Sequence, residues 1–410
     1  MNIGIVTTWF ERGAAYVSKA YMEALQRQGH SVHIFARGGE EYAQGDPLWD
    51  LPNVTWGVRY KPLGRISRFD NLYISMIQFD LWLRNRDIEV IIFNEEHSFD
   101  TVRRVRKLGY TVGAYIDYYK KENVEHFREY DFLLCNTKRH YGVFQHLPGS
   151  LFIPWGTDIN LFKPTNREHI VGTRHYVAFF HSAGFGGVNN RKGTDLVIKA
   201  FQRVKGNVKL ILHSQVPLSK YGTDALEIVR NDPKIEFIEK TVPAPGLYHL
   251  GDVFVYPTRL EGIGLCVPEA LACGLPVITT DNAPMNEFVK NGVNGLLVRV
   301  KETRMRKDGY YWPEKIADWK DLAEKMQRYV NDKDLLSRHK RQARETAETK
   351  LDWMKNAKEL GSEIRVMMKN SHRKRRRPDM PKRIAWWTEA KYVEFLTYAR
   401  RIAKQLLRNE

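Results

Sequence analysis

The sequence has little cysteine, no long apolar run and no cluster of metal ligands, and each absence removes a class of protein. Cys135, Cys266 and Cys273 are few, odd in number and lack metal-ligand spacing; a reducing cytoplasm is expected rather than a disulfide-stapled secreted scaffold. "MNIGIVTTWF" has neither the basic start nor the apolar core of a signal peptide. No stretch reaches the roughly 18 apolar residues that cross a bilayer. The 13 histidines are scattered, without His-Glu-x-x-His or a Cys/His cluster, so no metal site is expected. No repeat of solenoid length is apparent.

The 410 residues, 43% hydrophobic and 28% charged, predict two or three domains with real cores. Net charge is the unusual property: +17, with a pI near 9.6, which points to an anionic partner. Residues 371–410 carry twelve Lys/Arg and four Asp/Glu, so 12 − 4 = +8 of that excess sits in the last forty residues. A nucleic-acid partner is not expected, because the excess is a tail property and no nucleic-acid motif accompanies it.

Residues 1–165 alternate strand and helix patterns. "NIGIVTTW", "SVHIFAR", "IEVIIF", "YTVGAYI", "DFLLCN" and "SLFIPW" are short apolar strands, and "AAYVSKAYMEALQRQGH" spaces Val17, Tyr21 and Leu25 on one helical face. Such strands separated by helices predict a parallel sheet covered on both faces. A Pro/Gly/Asn-rich linker is placed around 160–174, and a second series of the same kind follows. The expected fold is therefore α/β, with two Rossmann-like doubly wound domains (1–165 and 166–350) and a deep cleft between them. A helix over 351–370 is expected to return toward the first domain, and 371–410 form a basic amphipathic helical tail.

"EGIGLCVPEALACGLPVITT", residues 261–280, sets Glu261 and Glu269 into an otherwise apolar run. The strand "DVFVYPT" precedes it, Pro268 suits the first position of a helix, and Glu269 then falls in the first turn. Gly262 and Gly264 allow a ligand close to the backbone. Singly, Glu269 could merely stabilise a helix start and Glu261 could be a solvated loop acid. Together the segment offers amides to phosphate and carboxylates to sugar hydroxyls. In "NRKGTDLVIKAF", Lys192 stands at a glycine-flanked helix start, where a lysine makes a good phosphate ligand.

With these motifs, residues 256–298 resemble the donor-binding signature of retaining GT-B glycosyltransferases of family 4, which use nucleotide sugars. The Glu-x7-Glu pair is matched by Glu261 and Glu269, and residues 190–201 and 152–164 are similar to two further elements of that family. The resemblance covers about residues 1–360. It implies that Glu261 contacts the transferred sugar, Glu269 the nucleotide ribose and Lys192 the diphosphate. It also implies that the backbone of Gly262, Ile263, Gly264 and Leu265 meets the diphosphate or sugar, with Gly13 and Ala14 as close-approach points in the first domain.

The sequence departs from the family in places. An arginine usual before the lysine is missing, which leaves Arg191 or Arg259 as substitutes. The family's His-Asp pair is replaced by "AYIDYYK", so Asp117 and, from "FNEEHSFD", His97 are the acceptor-side candidates.

The implied reaction moves a sugar from a nucleoside diphosphate to a hydroxyl of a glycan, lipid-linked or other acceptor, with retention and without a cofactor or essential metal. The alternatives are a GT-B-fold sugar-nucleotide epimerase or phosphorylase, or a non-catalytic nucleotide-sugar-binding protein. In the tail, Ile384, Trp387, Phe395, Ala399, Ile402 and Leu406 share one face and Arg400, Arg401, Lys404 and Arg408 lie near the other. Residues 372–408 can then lie on the anionic inner face of a membrane, or pack the aromatic face on protein with the basic run as a solvated linker. The localisation expected is cytoplasmic, with peripheral membrane attachment under the first of these.

Overall fold

The computed structural model describes residues 1–37, 43–57, 74, 76–94, 99–116, 118–165, 175–185 and 190–371. Two parallel sheets organise them. The first contains β1 (Asn2–Thr7), β2 (Ser31–Ala36), β3 (Val54–Trp56), β4 (Val90–Asn94), β5 (Thr111–Tyr115), β6 (Phe132–Cys135) and β7 (Ser150–Phe152). Helices α1 (Gly13–Arg27), α2 (Met76–Asn85), α3 (Phe99–Lys107) and α4 (Lys138–Phe144) connect them. The second sheet contains β8 (Val177–Ser182), β9 (Val208–Ser214), β10 (Ile235–Glu239), β11 (Val253–Tyr256), β12 (Val277–Thr280) and β13 (Gly295–Val298). Between its strands run α5 (Thr194–Phe201), α6 (Thr223–Asn231), α7 (Cys266–Ala272) and α8 (Met285–Phe288).

The strand orders are β3-β2-β1-β4-β5-β6-β7 and β10-β9-β8-β11-β12-β13. Each sheet reverses its winding beside its first strand, between β1 and β4 and between β8 and β11. Ligands of open parallel sheets bind at such points, outside the carboxyl ends of the strands. The strands are apolar throughout because both faces are covered: every residue of β4, β5, β6, β11 and β12 is buried. In α1, Ala15, Val17, Ser18, Tyr21, Met22, Ala24 and Leu25 form the buried stripe, the period of an amphipathic helix.

An antiparallel hairpin, β14 (Val300–Arg304) and β15 (Glu314–Ala317), follows β13. It went unread in the sequence, where 299–318 lacks a long apolar run. The residues between its strands reach the first domain. Tyr310 stacks on Tyr118 with ring centroids 4.7 Å apart, Tyr311 N donates to Tyr119 O at 3.0 Å, and Trp312 Nε1 donates to Tyr119 Oη at 2.7 Å.

Helices α9 (Trp319–Asn331), α10 (Lys333–Lys350), α11 (Trp353–Asn356) and α12 (Leu360–Ser371) complete the described chain. The first three are capped by Asp318, Asp332 and Asp352, whose side chains accept from amides of the first turn. After α10 the chain lies against the first domain. Trp353 Nε1 donates to Ala20 O at 2.8 Å, Gln28 Nε2 to Ala357 O at 2.8 Å, and Gly361 N to Gln28 Oε1 at 2.8 Å. No helix among the described residues is long and apolar enough to cross a membrane. The basic segment 372–410 lies outside the described residues.

Trp353 is the keystone of that return: it is buried against Trp155, 4.6 Å between centroids, and Tyr21, 5.2 Å. Trp353→Ala is expected to cost about 3–5 kcal/mol, as large aromatic truncations in cores do, read as a lowered urea midpoint. An unchanged midpoint would show that the C-terminal return adds nothing to stability.

Candidate functional site

Two loops meet at the switch point of the second sheet, one after β8 and one after β11. Gly193, with φ +76°, opens α5, and a Cβ there would run into the Pro257 carbonyl beyond β11. Only glycine allows that approach, and it brings Arg191 and Lys192 beside the β11–α7 loop. Lys192 Nζ donates to Glu261 Oε1 at 2.7 Å and to Tyr256 Oη at 2.6 Å. Arg191 Nη1 lies 3.2 Å from Glu261 Oε2 and donates to Leu260 O at 2.6 Å. Tyr256 Oη and Thr258 Oγ1 each donate to Glu261 Oε1 at 2.8 Å.

Glu261 is only 6% exposed. Burial alone would raise its pKa, but the Arg191 and Lys192 charges, with hydrogen bonds from Lys192 and Thr258, hold the carboxyl down at about 2. Two cations against one carboxylate leave the cluster with one net positive charge. Glu261, Lys192 and Arg191 are therefore brought together, as the sequence reading grouped them.

Arg259 is not available to a phosphate. Its guanidinium is buried in a bidentate pair with Asp195, at 2.9 and 2.6 Å, and also donates to Asn190 O. The sequence offered Arg259 as a substitute phosphate contact, and that does not hold, because Asp195 follows Gly193 into the first turn of α5 and pairs with it. Pro268 is likewise the third residue of α7 rather than the first. Its missing N–H still falls among the amides a helix start leaves unpaired, and Glu269 stays in the first turn.

Glu269 has a different environment. Tyr248 Oη donates to its Oε2 at 2.6 Å. Burial raises its pKa to about 7, against the Tyr248 hydrogen bond and with help from the nearby Glu11 charge. Glu11 belongs to the first domain and accepts from Tyr16 Oη at 2.5 Å, while Tyr16 Oη accepts from Ala244 N at 3.2 Å. Between the two acids, Gly264 adopts φ +80° and Ile263 is buried. A Cβ on Gly13, at the start of α1, would lie 3.7 Å from Leu265 Cδ1. The first domain's switch point thus faces the loop of Gly262 to Leu265. Ala14 O accepts from Asn94 Nδ2 at 2.7 Å. His97 and Asp117 lie outside the described residues.

The start of α4 also reaches the loop, which sequence reasoning missed; its signal was the basic run "TKRHYG" after β6. Arg139 donates to Glu261 O through Nη2 and to Ala283 O through Nη1 at 2.5 Å. Glu287 accepts from Lys138 N and Arg139 N at 2.6 and 3.0 Å. His140 is fully buried, with Nε2 3.0 Å from Gly262 O and Nδ1 3.0 Å from Tyr119 Oη. Burial and the Arg139 charge push its pKa down to about 3, so the ring is neutral. A carbonyl only accepts, so Nε2 carries the proton and Nδ1 accepts from Tyr119. Among the described residues no group of three or more His, Cys, Asp or Glu side chains is placed to hold a metal.

Residues 181–332 match the family model "Glycosyl transferases group 1". The chain is 30% identical over 188 residues to a capsular polysaccharide biosynthesis glycosyltransferase, CapM, of Staphylococcus aureus, covering 45% of each chain. It is 28% identical over 255 residues to a D-inositol 3-phosphate glycosyltransferase of Pseudarthrobacter chlorophenolicus, covering 56% of this chain and 55% of that one. The chain thus spans about half the length of the curated relatives it matches. Among solved structures, Anabaena HepE in complex with UDP and glucose superposes with a TM-score of 0.67 at 16% identity, over 89% of this chain and 100% of that one. Sucrose-phosphate synthase from Thermosynechococcus elongatus gives 0.67 at 18%, over 90% and 100%. The architecture is the two-domain GT-B arrangement.

The depressed Glu261 carboxyl makes a test of the cluster. A group held down in the folded state adds stability above its ordinary value near 4.5, lost as pH falls through about 2. Glu261→Gln is expected to cost about 3 kcal/mol at pH 7, and the gap to wild type should close between pH 5 and pH 2 in urea unfolding. A gap that stays constant with pH would show that the Glu261 charge is not what the two cations hold.

Proposed function

We propose that this protein is a retaining glycosyltransferase that moves a sugar from a nucleoside diphosphate to an acceptor hydroxyl. The observation that carries the reading is the Glu261–Lys192–Arg191 cluster at a sheet switch point, lying within the segment 181–332 that matches the glycosyltransferase family model. A UDP- and glucose-bound structural neighbour and relatives named for capsular polysaccharide and lipopolysaccharide synthesis support it. They favour a glycan or lipid-linked acceptor. The +8 of residues 371–410 would suit an acceptor presented at an anionic membrane surface on the cytoplasmic side.

In the proposed reaction, the bond from the anomeric carbon to the diphosphate oxygen breaks, and its electron pair leaves with the diphosphate. The acceptor oxygen bonds to the anomeric carbon on the same face, and its proton is released. The leaving diphosphate gains charge, and the cluster's net positive charge, with the amides of Gly262 to Leu265, is placed to meet it. Cations fixed by hydrogen bonds before reaction need no reorganisation when the charge develops. Lys192 and Arg191 supply that charge compensation, so no essential divalent metal is invoked. Glu261 orients both cations and contacts the sugar; Glu269 accepts from the ribose hydroxyls.

Screening nucleotide sugars by thermal shift, then mass analysis of products, tests the donor. Lys192→Ala is expected to lower kcat about 10²–10³-fold with the best donor, as removal of one preorganised charge-stabilising donor does. Hydroxyls donating to Glu269 favour its ionised form, so nucleotide affinity should rise as pH climbs through about 7, and Glu269→Gln should flatten that rise. Unchanged turnover in Lys192→Ala together with an unchanged pH profile in Glu269→Gln would sink the reading.

A further inference from the structure

A cavity of about 510 Å³ opens between the start of α4 and the β14–β15 hairpin, within the range of small-molecule sites. We propose that it is an acceptor-side subsite that takes an anionic group, a phosphate or a carboxylate, carried on a sugar. The inference rests on the glycosyl-transfer reading above and specifies the acceptor's chemistry.

Position comes first. Arg139 lines the cavity and donates to the backbone oxygen of Glu261, so a single side chain separates the cavity from the residue assigned to the transferred sugar. Ala283, also in its wall, is tied to the same guanidinium. A group bound here lies one side chain away from Glu261, the residue assigned to the transferred sugar.

Charge comes second. Lys138, Arg139 and Lys315 line the cavity against one carboxylate, Glu287, so the wall carries 3 − 1 = +2. Glu287 is already engaged by the Lys138 and Arg139 amides. Arg139 is fixed 5.0 Å over the Trp312 ring. Lys138 is exposed and forms no ion pair among the described residues, and Lys315 Nζ donates to a neutral partner, Thr303 Oγ1, at 2.9 Å. Two ammonium groups without carboxylate partners among the described residues, in a partly enclosed cavity, favour an anion, because charge-assisted bonds gain strength as water is excluded. Asn282 adds an amide.

Shape comes third. Trp312 and Pro313 give the wall an apolar surface, and Trp312 is held by its bond to Tyr119. Apolar ring surface beside cations fits a sugar that bears a charge better than a free inorganic ion.

The full-length protein, titrated calorimetrically with glucose 6-phosphate, glucuronate, inorganic phosphate and glucose, tests this. At least one charged sugar is expected to bind about tenfold or more tighter than glucose and inorganic phosphate, an effect of the size charge-assisted bonds give. The two charged sugars separate phosphate from carboxylate. Lys138→Glu with Lys315→Glu should remove that preference, and Lys138→Ala alone, at an exposed position, should weaken it about threefold. UDP affinity should stay within about twofold in these variants, since UDP belongs to the other cluster. Equal binding of glucose and the charged sugars, retention of the preference in both variants, or competitive displacement by UDP would each overturn the proposal. Failure of UDP to bind wild type would instead count against the glycosyl-transfer reading, so the two failures are distinguishable.

Discussion

The site depends on one buried carboxylate. Glu261 has almost no contact with water, and an ionised acid there would cost several kcal/mol without partners. Its partners come from two loops that are remote in sequence: Tyr256 and Thr258 from its own strand end, Arg191 and Lys192 from the turn into α5. Neutralising the acid therefore fixes the β8–α5 loop against the β11–α7 loop. The Arg259–Asp195 pair runs the opposite way, cation on the Glu261 loop and acid on α5, and locks the same two segments again. Gly193 permits the approach sterically, and the ion pairs make it favourable. The surplus of one cation leaves the place with a net positive charge.

The second constraint joins the domains. Tryptophan can only donate a hydrogen bond and a carbonyl can only accept one, so the chain Trp312–Tyr119–His140–Gly262 has one direction. Trp312 Nε1 donates to Tyr119 Oη, Tyr119 donates to His140 Nδ1, and His140 Nε2 donates to Gly262 O. The neutral histidine is essential to that order: an imidazolium would leave Nδ1 with a proton facing the Tyr119 hydroxyl. Burial and Arg139 keep it neutral far below physiological pH. The hairpin of the second domain is thereby connected through two first-domain side chains to the backbone beside Glu261. Arg139 runs parallel to this chain, over Trp312 and onto Glu261 O. Hairpin, α4 and Glu261 loop thus form one rigid corner.

Much of the fold was legible because apolar strands covered on both faces leave an unmistakable pattern, and "NIGIVTTW" and "VFVYPT" became β1 and β11. The Glu261–Lys192 grouping was legible because motif residues mark both loops. What stayed hidden depends on tertiary neighbours. Arg259 resembled a phosphate ligand until Asp195 appeared beside it. Pro268 suggested a helix start two residues late, since Cys266 and Val267 carry no boundary signal. His140 carries no periodic or spacing cue, and its role exists only because Tyr119 and Gly262 flank it in space. The hairpin was missed because its strands are polar, β14 being mostly exposed; its aromatic tip is packed on the other domain rather than on its own sheet.

Glu261 and Glu269 lie eight positions apart, and although burial pushes both pKa values up, their neighbours hold them in opposite regimes. Glu261 sits among cations and hydroxyls and remains charged down to about pH 2. Glu269 meets one tyrosine and a neighbouring acid from the other domain, and its carboxyl titrates at about 7. A permanently ionised group keeps both cations in place. A carboxyl near neutrality changes charge with small changes in its surroundings. Glu11 contributes to that poise from the first domain, so the Glu269 carboxyl feels a charge that the other domain carries. Glu269 is thereby linked electrostatically to the first domain through Glu11, while Glu261 is held ionised by partners from its own domain.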